Sequence, residues 1–421
     1  MSRLLEEISR SNPSKASGKL RVMYLQYTNP AAYPPLQHSS RILADEGWEV
    51  LFLGSGSHGA DTLEFPPHPN IRVKRLRFCP AGWRQKLHYA GFVLWVFFWM
   101  LRWRPRCIYA SDIPSCPLAV LLSFIPGLLI LYHEHDSPTL QVSTAKSQKL
   151  VLETRRKLAQ RASLCILPNE RRAERFKQET STNRPVLCVW NCPALAEAAM
   201  NNNRAIRSRF VVFFHGSIVP ARLPMTVVEA LAKLPNEVVL RVAGYETIGH
   251  LSYIQSLQNR AKNLGINDRF EFLGAFSRYS LLEHCRDADV GLAFMPLNSE
   301  DINQHEMTGA SNKPFDYLAS GLALLVSDLP HWRRMFVQSG YGLCCDPGDP
   351  DSIASALYWF FEHPAETQAM GARGRQQVVA EWNYERRFAP VLAYMAKSSS
   401  VQGCVARWPP LAPGKARRWL G

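Results

Sequence analysis

RFVVFFHGSIVPARLPMTVVEALAKLPNEVVLRVAG, residues 209–244, is the stretch that decides the fold class. It opens with a β-rich run at 209–216, continues through the helix-forming segment PMTVVEALAKL and closes with a second β-rich run at 238–244. A strand, a helix and a strand in succession predict a parallel βαβ unit, in which helices cover the faces of the sheet. The predicted fold class is therefore α/β.

The same alternation extends in both directions along the chain. It is interrupted by the polar stretch NNNRAIRS at 201–208, which has the composition of a linker. The sequence therefore predicts two α/β halves that face each other across a cleft, where the carboxyl ends of the strands bind ligands. Further strands are predicted at 21–27, 49–54, 107–110, 128–132, 164–167, 186–190, 269–274, 289–294 and 323–328.

The composition is that of a globular, intracellular protein. The chain has 421 residues, of which 47% are hydrophobic and 20% charged, enough to build two or three domain cores. Its ten cysteines have no spacing that suits a zinc site. The polar N-terminus lacks the apolar core of a signal peptide. We therefore expect reduced thiols and a cytoplasmic location.

The positive charge is concentrated in two segments. Of the formal net charge of +14, residues 72–106 contribute nine Lys or Arg side chains, residues 401–421 contribute four, and neither segment contains an acid. Such segments attract anionic lipid or nucleic acid. The sequence has no recognisable nucleic-acid module. We therefore predict a peripheral contact of residues 72–106 with an anionic membrane, on its inner face, and no nucleic-acid partner.

An apolar run, YAGFVLWVFFWML, occupies residues 89–101 inside the first basic segment. A membrane span needs about 20 apolar residues, and this run has 13. Three interpretations stay open: a buried core helix, a helix lying in the membrane interface, and a span. Because Trp and Arg at its edges are typical of an interface, we expect Trp95, Phe98 and Trp99 to contact lipid.

Glycine ends three predicted strands of the second half, at Gly216, Gly244 and Gly274. Since glycine lets a ligand approach the backbone closely, its recurrence at strand ends indicates a nucleotide cleft.

Two further motifs do not indicate a site. GSGSHG at 54–59 fits a dinucleotide-binding motif, but no helix is predicted directly after it, so we interpret it as a turn. Asp287 and Asp289 resemble a metal-binding pair, but they lie where a helix passes into a strand. We predict no metal.

An ordered series of motifs resembles the family 4 glycosyltransferases of the GT-B fold, over residues 19–398. In the second half the series is HGSIVPAR, VVLRVAG, FEFLGAF, ADVGLAFMP, SNKPFDYLASGLALLVSDLP and GYGLCCDPGDPDSIASAL. In the first half it is LADEGWEVLFLG, YASDIPSCP and LYHEHDSPT. The resemblance implies two Rossmann-like, doubly wound parallel-sheet domains, and transfer with retention of configuration, without metal or other cofactor.

The resemblance also assigns the parts of the chain. It implies a first, acceptor-binding domain at 19–204, a second domain that binds a nucleotide-sugar donor at 205–382, and a helix at 383–398 that crosses back to the first domain. The remaining segments are expected to be a disordered N-terminal segment at 1–18 and a basic, flexible tail at 399–421.

Most of the donor site is implied in SNKPFDYLASG, residues 311–321. Arg222 and Lys313 would hold the donor diphosphate, because two cations form an anion site and stabilise the leaving group. Asp316 stands where the family has Glu and would accept hydrogen bonds from the ribose hydroxyls. Thr308 stands where the family has a further Glu that contacts the sugar. Gly216, Ser311 and Asn312 complete the implied donor-binding set.

Asp112 and His133 are candidates for proton transfer or for positioning the reactants. Asp112 ends a predicted strand at a position that in relatives touches donor sugar or acceptor. His133 and His135 follow the next strand, and their side chains point to the same face. Metal ligation, lining of the cleft and structural hydrogen bonding stay open for this pair.

The expected function is that of a hexosyltransferase that extends a saccharide or a lipid-linked glycan from a nucleotide-diphosphate sugar. Two alternatives remain: a nucleotide-sugar epimerase of the same fold, and a catalytically weak binding protein, since Thr308 replaces an acid.

Overall fold

The computed structural model describes residues 20–138, 146–199 and 209–401. Within them, strands form two separate sheets, of seven and six strands, and every strand pair is parallel. The predicted α/β class with two Rossmann-like parallel sheets is confirmed. The linker predicted at 201–208, the segment 1–18 and residues 402–421 of the tail lie outside the described residues.

The first sheet has the strand order β3-β2-β1-β4-β5-β6-β7, which is doubly wound from a central β1. Its strands are β1 Arg21–Gln26, β2 Glu49–Ser55, β3 Ile71–Leu76, β4 Cys107–Ser111, β5 Leu129–His133, β6 Leu164–Leu167 and β7 Val186–Cys188.

The second sheet has the order β10-β9-β8-β11-β12-β13 and is wound around β8 in the same way. Its strands are β8 Phe210–Ile218, β9 Val238–Glu246, β10 Phe270–Gly274, β11 Val290–Ala293, β12 Ala323–Ser327 and β13 Gly342–Cys345. The opening βαβ unit of the sequence analysis is β8 and β9, paired in register from Phe210–Val238 to Ile218–Glu246.

Helices cover both sheets. In the first half they are α1 Pro34–Asp45, α2 Trp83–Trp103, α3 Cys116–Leu122, α4 Lys146–Arg161, α5 Glu170–Thr180 and α6 Leu195–Ala199. In the second half they are α7 Thr226–Ala232, α8 Tyr253–Asn263, α9 Arg278–Arg286, α10 Ile302–His305, α11 Lys313–Ala319, α12 Pro330–Trp332, α13 Pro350–Glu362 and α14 Pro364–Ala380. The final helix is α15 Tyr384–Val401.

Helix α15 crosses back to the first half, as the resemblance implied. Its residues Tyr384, Phe388, Val391 and Met395 are buried in the core on one face of the first sheet. Their spacing of three to four residues places them on one side of the helix. The helix extends to Val401, three residues beyond the predicted end at 398.

Two strands were missed from sequence, β3 and β13. β3 is an edge strand whose alternate residues Arg72 and Lys74 are exposed, so it lacks the apolar run of a central parallel strand. β13 has four residues and contributes little pattern to a sequence. The turn predicted after β2 is confirmed, because turn residues and no helix follow Ser55.

Helix α2 packs on the first sheet through one face. Its residues Phe92, Val96, Met100 and Trp103 are buried, whereas Trp83, Leu87, Leu94, Phe98 and Leu101 are 56–71% exposed. At about 100° per residue, the exposed set falls within about 60° on the side opposite the buried set. We call these five exposed residues the outer stripe. A fully buried helix is therefore the wrong interpretation of the apolar run.

Candidate active site

A cavity of about 410 Å³ lies between the carboxyl ends of the two sheets, and we call it the donor cavity. Loops that follow β1, β2 and β5 line one side, and loops that follow β8 and β9 line the other. Among the predicted donor residues, Arg222, Ser311, Asn312 and Lys313 line it. Ligands of open α/β sheets bind in such a position.

The Lys313 side chain is the most unusual group of this cavity. It is buried, and within the described ranges its amine has no acceptor at hydrogen-bond distance and no ion pair. The amine lies 5.7 Å from the centre of the Phe214 ring. Burial lowers the pKa of Lys313 well below its usual value, and the neighbouring Arg222 lowers it further. An anion placed here would relieve both effects.

Arg222 supplies the second predicted cation. Its guanidinium donates to Ser217 Oγ at 2.6 Å, which fixes one end of the fork and leaves the other N–H groups available. The charged side chains lining the donor cavity are Arg172, Arg222 and Lys313 against one carboxylate, Asp136, a balance of three positive charges to one negative. The cavity therefore attracts an anionic ligand.

Gly216 and Gly244, paired two residues before the ends of β8 and β9, bring the backbones of these two strands close together. A β-carbon on Gly244 would lie 1.9 Å from the carbonyl oxygen of Gly216. Gly216 itself has φ of +107°, and a β-carbon there would lie 3.1 Å from Lys313 Nζ. Only glycine lets the strand end and the amine occupy this arrangement.

Helix α11 is held against the sheet by a further glycine. A β-carbon on Gly291 of β11 would lie 2.2 Å from the Tyr317 ring, so the missing side chain makes room for that ring. The Tyr317 hydroxyl accepts a hydrogen bond from the backbone N–H of His215 at 3.0 Å. The same helix thus places Lys313 and fixes the end of β8.

Asp316 does not line the donor cavity. Its carboxylate is fully buried and accepts from Arg278 at 2.8 and 3.2 Å and from Asn312 Nδ2 at 3.0 Å. Burial raises its pKa, although Arg278 opposes that shift. The ribose contact predicted for Asp316 would require this ion pair to open. In the structure its carboxylate instead orients Asn312, which does reach the cavity.

Asp316 belongs to a buried ion network at the junction of the two halves. Arg278 also donates to Glu197 at 2.6 and 2.8 Å, and Glu197 lies 3.5 Å from His38 of α1. Despite burial, Arg278 lowers the pKa of Glu197 to about 2. Burial lowers the pKa of His38 to about 4, so this histidine is neutral at pH 7. The network joins both halves through α6.

Asp112 holds the loop that follows β5. Its Oδ1 accepts hydrogen bonds from the backbone N–H groups of His135 at 2.8 Å and Asp136 at 3.4 Å. The residue has φ of +61°, a conformation that costs about 1–3 kcal/mol outside glycine. Burial and the nearby Asp136 raise its pKa to about 7. The carboxylate does not line the donor cavity, so the geometry favours positioning of this loop over proton transfer.

The two histidines after β5 have different environments. His133 is fully buried, and its Nδ1 lies 2.7 Å from the Tyr109 hydroxyl. His135 lines the donor cavity, and neither of its ring nitrogens has a hydrogen-bond partner among the described residues. Burial and Arg172 lower the pKa of His135 to about 3, so its ring is neutral. The geometry therefore favours His135, rather than His133, as the candidate for proton transfer or for positioning the reactants.

Several residues of the cavity were missed from sequence. Arg172, the third cation, lies on α5, where it donates to the His135 carbonyl oxygen at 2.6 Å. The segment PNERRAERF gave no sign that this arginine, among several, is buried. Tyr33, Asn191, Tyr245 and Thr247 also line the cavity, from loops whose positions depend on the tertiary structure.

Three acidic residues outside the cavity, Glu134, Asp287 and Asp289, are engaged in structural contacts. Glu134 forms a buried pair with Arg155, at 2.6 and 2.8 Å. Asp289 accepts from the backbone N–H of Val211 and Asp287 from Arg241. Over the described ranges, no group of three or more His, Cys, Asp or Glu side chains is arranged to hold a metal ion.

Two protein-family models match the chain. Residues 36–189 match the glycosyl transferase 4-like domain, and residues 197–377 match glycosyl transferases group 1. A similar curated protein is the GDP-mannose-dependent alpha-(1-6)-phosphatidylinositol monomannoside mannosyltransferase of Mycobacterium tuberculosis, 23% identical over 200 residues, 48% of this chain and 51% of that protein. The chain thus spans about half the length of the curated relatives it matches.

Solved structures with the same architecture cover nearly the whole chain. Anabaena HepE, in complex with UDP and glucose, has a TM-score of 0.68 at 17% identity and covers 90% of this chain and 100% of that chain. Sucrose-phosphate synthase from Thermosynechococcus elongatus has a TM-score of 0.65 at 15% identity, with 91% and 100% covered. At these identities the likeness establishes the GT-B fold. Taken with the two family models, one on each half, it shows that the chain belongs to the group 1, or family 4, glycosyltransferases of the GT-B fold.

Proposed function

We propose that the protein is a hexosyltransferase that moves a sugar from a nucleotide-diphosphate donor to a saccharide or lipid-linked acceptor, with retention of configuration. The observation that carries this proposal is the pair of cations Lys313 and Arg222 in the donor cavity. Lys313 is buried and forms no ion pair among the described residues, which is an unfavourable state that a ligand phosphate would correct.

The same two cations explain how the chemistry would proceed. When the bond between sugar and diphosphate breaks, negative charge develops on the leaving oxygen. A fixed amine and a fixed guanidinium next to that oxygen stabilise it without needing to reorganise. His135, neutral and without a hydrogen-bond partner among the described residues, offers one donor and one acceptor to sugar hydroxyls.

The comparisons support a nucleotide diphosphate as the carrier. The mycobacterial relative is named as GDP-mannose-dependent, and HepE was solved with UDP and glucose. The two names differ in the nucleobase and in the sugar, so we propose only that the donor is a nucleotide-diphosphate sugar. The nucleotide-sugar panel described next identifies the base and the sugar. An epimerase of this fold and a weakly catalytic binding protein remain the alternatives, the latter because Thr308 occupies the place of an acid.

A panel of nucleotide sugars distinguishes these functions. We expect one UDP- or GDP-sugar to raise the melting temperature of the protein, because a ligand at 100 times its Kd stabilises the folded state by about 2.7 kcal/mol. Mass spectrometry then follows that donor with and without acceptor glycans. Transfer to an acceptor supports the proposal, conversion of the free nucleotide sugar supports the epimerase, and binding without either reaction supports the binding protein.

We also propose that the enzyme works at the cytoplasmic face of an anionic membrane, held there by the outer stripe of α2. The stripe is apolar, and Arg84 lies over the ring of its member Trp83 at 5.5 Å; on another side of α2, Lys74 lies over the Trp99 ring at 5.1 Å. Apolar insertion combined with attraction of Lys and Arg to anionic lipid is the usual basis of interfacial binding. Over the part of the chain that the structure describes, no helix could by itself cross a bilayer.

A further inference from the structure

Arg172 is a second buried cation of the donor cavity that forms no ion pair within the described ranges. Its residue is only 1% exposed, and it lines the cavity together with His135 and Lys313. Its Nη2 donates to the carbonyl oxygen of His135 at 2.6 Å, and its Nε donates to Ser137 Oγ at 3.4 Å. Of the five N–H groups of a guanidinium, three therefore remain without an acceptor among the described residues.

The acids around Arg172 do not neutralise it by contact. Burial lowers the pKa of Arg172, and four carboxylates oppose that shift from beyond ion-pair distance: Asp136, Glu134, Asp112 and Asp301. Asp136 is exposed to solvent. The other three are bound, respectively, to Arg155, to backbone N–H groups of the loop after β5 and to the first turn of α10. Because a buried charge without a partner is costly, an anionic ligand group would stabilise Arg172.

The donor diphosphate accounts for only two of the three cations that line the cavity. Arg222 and Lys313 both belong to the second half, at the loop after β8 and at the start of α11. Arg172 belongs to α5 of the first half and faces the cavity from there. A nucleoside carries no charge at pH 7, so the sugar is the part of a donor that can bring a further anion to Arg172.

The residue that approaches the first turn of α5 from the second half is uncharged. The carbonyl oxygen of Thr308 accepts from Asn169 Nδ2 at 2.5 Å, and Asn169 Oδ1 accepts from the backbone N–H of Arg172 at 3.0 Å. An acid at position 308 would repel a ligand carboxylate held here, whereas threonine does not. Glu306, the only acid of the sequence between 302 and 315, pairs with Arg171 at 3.0 Å.

We infer that Arg172 binds a carboxylate of the transferred sugar, so that the donor is a nucleotide-diphosphate uronic acid. This inference rests on the proposed function and specifies its donor. A guanidinium can donate two parallel hydrogen bonds to a carboxylate, which adds geometric selectivity to the attraction of opposite charges. A neutral hexose, with a hydroxymethyl group in the same place, would leave the buried charge without its partner. Arg172 is then the residue that selects the donor sugar.

Matched donors that differ only at C6 of the sugar test this assignment. Isothermal titration calorimetry is recorded with UDP and GDP alone and with three pairs: UDP-glucose and UDP-glucuronate, UDP-galactose and UDP-galacturonate, and GDP-mannose and GDP-mannuronate. We expect the uronate of at least one pair to bind at least tenfold more tightly than its neutral hexose. If the hexose binds as tightly as the uronate in every pair, the inference is overturned and the proposed function stands. If neither UDP nor GDP binds, both are overturned.

Two variants and a control connect the preference to the guanidinium. Arg172→Gln should remove the preference for the uronate and change the affinity for the free nucleotide less than threefold. Arg171→Gln, the neighbouring arginine of α5 whose side chain is 58% exposed, should keep the preference. Thr308→Glu leaves Arg172 in place but adds a carboxylate beside α5, and it should weaken binding of the uronate at least fivefold more than binding of the hexose. An unchanged preference in Arg172→Gln and Thr308→Glu overturns the inference.

A carboxylate of the acceptor is the other source of the same anion. Methyl glucuronide is therefore titrated into the wild type and into Arg172→Gln, each saturated with UDP. We expect no binding of methyl glucuronide that depends on Arg172. Such binding, together with equal affinities within the donor pairs, would assign the carboxylate to the acceptor and contradict the inference.

Discussion

The amine of Lys313 lies directly over Gly216, so close that a single methyl group at position 216 would lie 3.1 Å from Nζ. The strand end and the cation are thus fitted to each other. This contact joins β8 to α11 at the point where the donor phosphates are proposed to bind, and it makes the glycine a test of the site.

Gly216→Ala should weaken binding of the donor nucleotide by about tenfold, or about 1.4 kcal/mol, because the amine must move away from its place. Isothermal titration calorimetry with UDP and GDP measures this change. Gly265→Ala is the matched control, since Gly265 also has positive φ, +72°, but no atom within 4 Å of an added β-carbon. If Gly216→Ala and Gly265→Ala lost nucleotide affinity equally, the loss would result from backbone strain and not from displacement of the Lys313 amine.

Lys313→Met should abolish nucleotide binding and leave the unliganded protein at least as stable as the wild type. The substitution removes a buried charge that has no ion pair in the described structure and keeps the volume of the side chain. Thermal denaturation with and without nucleotide checks both parts. A large loss of stability without ligand would show that the amine has a structural role.

The same lysine predicts a pH dependence. Its pKa is lowered in the folded protein, so the unfolded chain binds the proton more tightly, and stability rises with pH between the lowered pKa and 10.5. A bound diphosphate favours the charged form. At a pH above the lowered pKa, where the amine of the free protein is neutral, nucleotide binding should therefore take up protons; calorimetry in buffers of different ionisation enthalpy detects this uptake, and Lys313→Met should remove it.

Asp112→Asn should retain most activity, whereas Asp112→Ala should lose it. The amide oxygen of Asn can still accept from the N–H groups of His135 and Asp136, and alanine cannot. The pKa of Asp112 is about 7 in the folded protein, against an ordinary value of 3.8, so the free energy of unfolding falls as the pH rises from 3.8 to about 7. Asp112→Asn, which does not titrate, should make stability less dependent on pH in this range. Transfer assays measure the activity of the variants, and urea unfolding at several pH values measures their stability. A hundredfold loss of activity in Asp112→Asn would support a role of Asp112 in proton transfer.

Glu197→Gln should destabilise the protein by about 3 kcal/mol at pH 7, because it leaves Arg278 short of one charged partner in a buried site. The lowered pKa of Glu197 means that its contribution is present above pH 4.5 and is lost as pH falls towards 2. The difference between wild type and variant in urea unfolding should therefore shrink on acidification. A constant difference would indicate lost packing.

Replacing Leu94, Phe98 and Leu101 together by Ser should abolish salt-sensitive binding to vesicles that contain anionic lipid. These side chains are exposed, whereas Trp95 and Trp99, expected from sequence to contact lipid, are partly buried against the sheet. Vesicle sedimentation at two salt concentrations provides the measurement. Leu251→Ser, an exposed leucine of the second half, is the control, and unchanged binding of the triple variant would remove α2 from the membrane contact.

The sequence determined the α/β class, the two sheets and most of their strands. Apolar runs such as 238–244 identify buried parallel strands locally, since each run must be covered on both faces. The resemblance carried by the ordered motifs predicted a donor site at Arg222 and Lys313, and the structure brings these two cations together in one cavity. The edge strand β3 was not predicted from the sequence, because an exposed edge strand does not need a continuous apolar run.

Only the tertiary structure decided which side chains face the cavity. Asp316 is directed to Arg278, thirty-eight residues away, and Arg172 reaches the cavity from a helix that resembles any charged surface helix in sequence. His133 and His135 have the same periodicity, yet Tyr109 engages one and the cavity receives the other. The reason is physical: periodicity sets the direction of a side chain within its own element, whereas burial and ion pairing depend on elements that are distant in sequence.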